Sequence, residues 1–338
     1  MLKLRRGTVA TAGDASDSMQ RLEIEVDGER RSARADVGLV GPSEVGDEVV
    51  VNVEARDLQL GSGGFDMVHV NLTRGLSGEG TPGAHVMKLN YTSLQHAVLN
   101  VEGPDLIQPL ESPVAVMFLH GQLAPLAWAF SQGAPGMSLG YVQTLGGALT
   151  GRLSHTVREL RERHLLSGHI TVAPAFGGDG EAITATGAIQ HAIAELAWDA
   201  VVVGPGPGVL GSESALGHGG MAALDSIHGT LALGAPALLV PRMSSGDPRE
   251  RHRGISHHAA TVLSLLLDRV AVAAPEHAEL PPLPDDRHDW RQKEVDLEGY
   301  AATGLPTRTM GRELDEDSLF FAAALAGGAV LAEMRAQR

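Results

Sequence analysis

Apolar and polar positions alternate with period two along the first quarter of the chain. Gly7-Thr8-Val9-Ala10, Arg21-Leu22-Glu23-Ile24-Glu25-Val26 and Glu48-Val49-Val50-Val51-Asn52-Val53 read as short strands. Asp27-Gly28, Gly41-Pro42 and Gly46-Asp47 separate them, and Asp-Gly between two such runs signals a hairpin. Residues 1–75 are therefore expected to form a small β-barrel-like domain. Residues 76–111 read as a connecting β segment with a strand over 86–92, ending at a junction near Ser112-Pro113.

From 112 the pattern changes to alternating strand and helix. Mostly apolar runs at 114–119, 138–142, 170–173, 200–203, 237–240 and 270–273 read as buried strands. Helical stretches at 123–130, 156–164, 183–198, 221–233 and 259–267 lie between them. The combination predicts an α/β fold: a Rossmann-like parallel sheet with flanking helices over 112–275. Residues 276–338 are expected to hold an extended Pro/Asp-rich connection and a C-terminal helix. That helix, apolar from Leu319 to Ala332, has little polar face. It should be buried against the α/β core or a second subunit, and a homo-oligomer is expected.

Composition narrows the function. The 41 acidic against 26 basic side chains give a formal charge of −15, which repels phosphodiester backbones and argues against general nucleic-acid binding. With no cysteine, thiolate nucleophiles, disulfides and Cys-ligated metals are excluded. The start, Met1-Leu2-Lys3-Leu4-Arg5-Arg6-Gly7, lacks the apolar stretch of a signal peptide. The late apolar run is shorter than the ~20 residues of a membrane span. A cytoplasmic protein with no membrane partner is expected.

Candidate chemistry collects at strand ends, where an α/β sheet places its ligands. His120 follows the first strand of the α/β domain, and Gln143-Thr144 follow the second. Gly177-Gly178-Asp179-Gly180-Glu181 follows the third and Gly206-Pro207-Gly208-Val209-Leu210-Gly211 the fourth. The last fits G-x-G-x-x-G, but its strand is not the first of the domain, its helix starts about ten residues later, and Pro205 and Pro207 have no N–H to donate. These mismatches count against a nicotinamide dinucleotide. Arg242 ends the fifth strand. Arg249, Arg251 and Arg253 alternate beyond it; in an extended segment all three would face one side and clamp an anion. Asp247 and Glu250 neutralising a solvated loop is the bland alternative. Ser256 is a natural N-cap. His257 and His258 stand about 100° apart on a helix, so both facing one atom is unfavourable. His252, His120 and Asp179 complete the nearest approach to a metal cluster. With no H-x-x-x-H or H-E-x-x-H spacing, no metal ligand is assigned. No Gly-x-Ser-x-Gly supports a serine nucleophile.

Several of these motifs, with others, resemble domain-of-unknown-function family 3866 of bacterial proteins. They are Gly61-Ser62-Gly63-Gly64-Phe65, Met87-Lys88-Leu89-Asn90-Tyr91-Thr92, Ala175-Phe176-Gly177-Gly178-Asp179, Gly206-Pro207-Gly208, and Arg251-His252-Arg253-Gly254-Ile255-Ser256-His257-His258. Thr309-Met310-Gly311-Arg312 and Phe320-Phe321-Ala322-Ala323-Ala324 also fit. The chain departs from the pattern at Ser212-Glu213-Ser214, at His218, and at Gly121 after His120. The resemblance supports the architecture and leaves the chemistry open.

The sequence thus predicts a small phosphate- or carboxylate-bearing ligand at the carboxyl edge of the sheet. His257 or His120 would act as acid or base and Asp179 as the orienting carboxylate. Gly177, Gly178, Glu181, Gly206, Gly208, Arg242, Arg249, Arg251, Arg253 and Ser256 would line the site. A non-catalytic sensing or interaction module is the alternative, and a metal-dependent hydrolase a weaker one. No cofactor is named by the sequence.

Overall fold

The computed structural model describes residues 1–15, 18–60, 64–276 and 287–337. They fall into two compact units, Met1–Leu99 and Asn100–Arg338. Gly61-Ser62-Gly63 of the Gly61-Ser62-Gly63-Gly64-Phe65 motif and most of the Pro/Asp-rich connection lie outside the described residues.

In the first unit, β1 (Leu4–Ala12), β2 (Met19–Val26), β3 (Glu29–Asp36), β4 (Glu48–Asn52) and β5 (Asp66–Asn71) close a barrel in the order β1-β2-β3-β5-β4. Short helices α1 (Val37–Val40) and α2 (Glu54–Asp57) connect them. At the Asp27-Gly28 turn both residues have positive φ, 53° and 80°, the geometry that matches the twist of the flanking strands. The reading of the sequence missed β3, whose residues are Glu-Arg-Arg-Ser-Ala-Arg-Ala-Asp. Its inward positions are only Ala33 and Ala35, both fully buried beside Val9, Ile24 and Val49. A hairpin of β6 (Val86–Lys88) and β7 (His96–Val98) completes the unit. The strand expected over 86–92 stops at Lys88 because Leu89 and Tyr91 take positive φ.

The second unit is built on an eight-stranded sheet of β8 (Val114–Met117), β9 (Leu139–Thr144), β10 (Gly168–Val172), β11 (Gly180–Ala182), β12 (Ala200–Pro205), β13 (Ala237–Val240), β16 (Ala271–Pro275) and β17 (Asp289–Lys293). β14 (Met243–Ser244) and β15 (Gly254–Ile255) form a separate small ribbon. The sheet order is β11-β10-β9-β12-β8-β13-β16-β17, with every pairing parallel. All six expected strands are present. β11 and β17 are additions at the two edges, and β17 is too polar to announce itself by apolar run.

Helices α3 (Leu123–Gly133) and α4 (His155–Glu162) pack together with α9 (Ser318–Ala336) on one face; α8 (Leu297–Ala301) joins them there. α5 (Ala185–Ala194), α6 (Ala222–Ala232) and α7 (His257–Leu265) cover the other. The chain leaving β8 enters the first face, while the chains leaving its neighbours β12 and β13 enter the second. Connections that part in this way mark a topological switch point beyond the carboxyl ends of β12, β8 and β13, where open α/β sheets ordinarily bind their ligands.

α9 runs 19 residues, longer than the 319–332 stretch read from the sequence, and by length and composition alone it would suffice to cross a bilayer. Here 72% of its apolar window is buried, against α3, β13 and β16, as in a core helix. Its glycines explain the fit. A Cβ on Gly328 would stand 2.2 Å from the Leu126 carbonyl oxygen and 2.8 Å from the Ala129 Cβ; one on Gly327 would meet Val240 at 2.6 Å.

Candidate functional site

The site is built where β13 ends. Pro241 cannot continue the ladder. Buried Gln122 donates to the carbonyls of Val240 and Pro241 at 3.2 and 3.1 Å. Its Oε1 accepts from Phe118 and Leu119 N–H, so one side chain ties the ends of β8 and β13 together. The chain then doubles back, with Met243 and Ser244 in β14 pairing Ile255 and Gly254 in β15.

Two fully buried carboxylates brace the intervening loop. Asp317, the N-cap of α9, accepts from the Ser244 hydroxyl and from the N–H of Ser245 and Gly246. Asp247 accepts from the Arg249 N–H and holds Arg242 at 3.0 Å and Arg249 at 2.9 Å, with Arg312 at 3.6 Å. Burial pushes the Asp247 carboxyl up, but hydrogen bonds from Arg249 and the charges of Arg249 and Arg242 bring it well below the usual range. Burial pushes Arg242 down to about 10 against the pull of Asp247, so the pair is charged at neutral pH.

This bracing sets His252 beside the start of α7. Ser256 caps that helix, its hydroxyl accepting from the His258 N–H, as its position in the sequence suggested. The helix begins at His257, two residues earlier than read. Ring centroids are 4.4 Å apart for His257–His258, 4.8 Å for His252–His257 and 5.0 Å for His252–His258. One ring nitrogen from each of the three lies within 4.8 Å of the others. The angular separation along a helix thus did not keep the neighbouring histidines apart, because the third imidazole arrives from the loop. His218, from the β12–α6 connection, stacks on His258 at 3.7 Å and meets His257 edge-on at 5.8 Å. The sequence marked His218 only as a departure from a pattern. Its position after the Gly-Pro-Gly turn of β12 was the available signal, since β12 and β13 flank the same strand.

All four imidazoles are held toward the neutral form. Burial, then Arg242 and Arg249, push His252 down to about 3. Burial, then His218 and Arg242, push His258 to about 2. His257 is lowered by burial and then by His218, Arg251, Arg242 and Arg249, and His218 by burial and Arg242. Burial leads in each case, and neighbouring guanidiniums add to it. Among the described residues, His257 Nε2, His218 Nδ1, Arg242 Nε and Arg251 Nε are buried without a hydrogen-bond partner.

The arginines do not form the expected row. Glu250–His252 is a 3-10 turn, so the period-two extension fails. Arg249 turns to Asp247, Arg251 to Glu213 at 3.1 Å, and Arg253 Nε donates to the Asp247 carbonyl. Of the three, Arg251 faces His257 with a free buried Nε–H.

The other predicted residues lie elsewhere, which corrects the idea of one shared rim. The chain after β10 folds back to the amino end of the sheet before β11 rises parallel to β10, with Ile170 beside Gly180. Asp179 consequently sits at the amino end of β10, accepting from the His169 N–H at 2.9 Å and paired with Arg161. Glu181, in β11, accepts from Gly177 N–H and the Thr171 hydroxyl. Gly177 and Gly178 pack beside Arg152 and His169. β11 is five strands from β13, about 24 Å at the usual ~4.8 Å spacing. Asp179, Glu181, Gly177 and Gly178 therefore do not meet His257.

His120 is buried at the end of β8, its Nε2 2.7 Å from the Ser154 hydroxyl and its ring 5.9 Å from that of Tyr141. Burial pushes it down to about 4, partly opposed by a bond to the Pro205 carbonyl. It belongs to a buried polar row with Tyr141 and His169 and is not part of the four-histidine cluster. Gly206 packs against the Ala148 carbonyl and Gln143, and Gly208 is an exposed turn residue with φ 71°. α6 starts at Ala222, eleven residues after Gly211, and a 3-10 turn over Gly219–Met221 precedes it.

A family model described as "Protein of unknown function (DUF3866)" matches residues 33–328. The chain belongs to this family. The match spans the histidine cluster and all eight strands of the sheet of this DUF3866 protein, and of the barrel it takes in β4, β5 and the end of β3. No curated protein matches it, and no solved structure does.

Proposed function

We propose that this DUF3866 protein binds a small phosphate- or carboxylate-bearing ligand beyond the carboxyl ends of β12, β8 and β13. The carrying observation is the pair of buried Nε–H groups on Arg251 and Arg242 that have no hydrogen-bond partner, set among further arginines. A buried donor without an acceptor costs about 1–3 kcal/mol, and an anion removes that cost for both guanidiniums at once. The setting favours the same ligand: Arg242, Arg249, Arg251 and Arg312 share three carboxylates, Asp247, Asp317 and Glu213. Arg253 adds a further positive charge near the Asp247 carbonyl. Glu213 is largely exposed and holds Arg251 from outside, so it is the partner an incoming anion would replace. His257 is the imidazole closest in role to an acid or base here, and Asp179 and His120 have no part in it.

Titration calorimetry with inorganic phosphate tests this. Arg251→Ala is expected to weaken binding by about tenfold or more, and Glu213→Gln to tighten it, with added salt weakening both. Phosphate affinity indifferent to both substitutions would remove the reading.

A further inference from the structure

We infer that His252, His257 and His258 bind one divalent transition-metal ion of the zinc class, leaving a fourth position open. The inference deepens the anion reading, since that open position is where a phosphate or carboxylate oxygen would enter. The metal itself does not depend on that reading.

The first support is convergence. Three imidazoles on a helix start and a braced loop bring one nitrogen each within 4.8 Å of the others. A tetrahedral set with bonds of ~2.0–2.1 Å has its donors about 3.3 Å apart, so small side-chain rotations close the triangle. A second support is the orientation of His252. Its Nδ1 lies 2.7 Å from the Ser256 hydroxyl, which already accepts from the His258 N–H. With the ring in its Nδ1–H tautomer, the Ser256 oxygen takes that proton and the Nε2 lone pair of His252 is left for a metal, the arrangement of outer-shell partners in known metal sites. A third is that His257 Nε2 is buried without a partner among the described residues. Histidines that merely fill space ordinarily have their buried nitrogens satisfied.

Donor chemistry selects the ion. The chain has no thiolate to offer. The neighbouring carboxylates Asp247 and Asp317 are committed to arginines and loop N–H groups. What remains is an imidazole set, which suits zinc, nickel, cobalt or copper and not magnesium or calcium. Arg242 stands 3.5 Å from His258, with Asp247 as a counter-charge that it shares with Arg249 and Arg312. Three imidazoles with an open position make the donor set of a reactive site; closed structural sites use four protein ligands.

The full chain, stripped with chelator and desalted, is titrated with zinc chloride alone and separately with cobalt chloride. One ion per chain is expected, with cobalt developing the visible absorption of a low-coordinate imidazole site. Ser256→Ala is expected to weaken zinc binding roughly 10–100-fold, and His252→Ala or His257→Ala by at least the upper end of that range. His191→Ala, in α5, serves as the unaffected control. Less than one ion per chain, or affinity unchanged in the histidine variants, overturns the proposal. Should those variants fail to fold, the cobalt spectrum of the unaltered chain decides, and its absence is negative. Inorganic phosphate titrated into the stripped chain separates the two claims. Phosphate bound through Arg251 without metal upholds the anion reading whatever zinc does, and stoichiometric zinc without phosphate upholds the metal alone.

Discussion

Asp247 concentrates more of the site's electrostatics than any other residue. It is fully buried and faces Arg242, Arg249 and Arg312, and its backbone carbonyl takes Arg253. Asp247→Asn preserves shape but leaves Arg242 as a buried cation without its counter-charge. Loss of one partner of a buried pair costs about 3–5 kcal/mol, so urea unfolding should show a loss of that order in the α/β unit. An unchanged midpoint would mean that Arg312 and Arg249 leave with solvent access and the pair is not buried in effect. The three alternating arginines show how far spacing alone carries. Their chemistry was visible from residue type, but their directions were set by a 3-10 turn and by Asp247, which no periodicity announces.

The elements were legible where burial made them apolar. The six inner strands are mostly apolar runs because helices cover both faces of a parallel sheet. β3, β11 and β17 were illegible because an edge strand or a small barrel wall needs few large apolar side chains. Missing β11 had the largest consequence. Without it the chain after β10 was taken straight into a helix, which put Asp179 and Glu181 at the wrong end of the sheet. α9 supplies the test at this scale. Gly328→Ala gains helix propensity of about 1 kcal/mol but forces a methyl against the Leu126 carbonyl and Ala129. Overpacking costs typically ~1–3 kcal/mol, so a net loss is expected in chemical denaturation, and a gain would show that α3 and α9 can separate freely.

At the scale of the whole molecule, each unit has its own hydrophobic core, so scanning calorimetry should resolve two transitions. They should respond differently to acid. In the barrel, burial raises the Asp47 carboxyl, but hydrogen bonds from Arg74, Asn71 and the Glu44 N–H bring it below its usual value. A depressed carboxylate stabilises above its unfolded pKa, and that contribution is lost as pH falls below about 4. In the α/β unit His120 is lowered to about 4 from 6.5, so the unfolded chain takes up its proton first. Its contribution is complete above pH 6.5 and falls by up to about 3 kcal/mol toward pH 4. The four imidazoles of the cluster are lowered too and act in the same direction, so the α/β transition should drop first on acidification, and His120→Gln should remove its own part of that slope. A slope unchanged in the variant would place the acid sensitivity elsewhere.

Residue order alone determined the architecture, because apolar period and turn chemistry are local properties: a hairpin needs Asp-Gly at positive φ, and a covered strand needs an apolar run. It also determined which residue types were available, and so ruled out thiolate chemistry. Only the tertiary structure decided which of them meet. His218 and His258 are 40 positions apart in sequence and stack at 3.7 Å, while His257 and Asp179 were grouped by strand order and stand at separate ends of the sheet. Contact between side chains from different loops depends on how strands are ordered and where the chain reverses, and those are settled by long-range packing that no short stretch of sequence encodes.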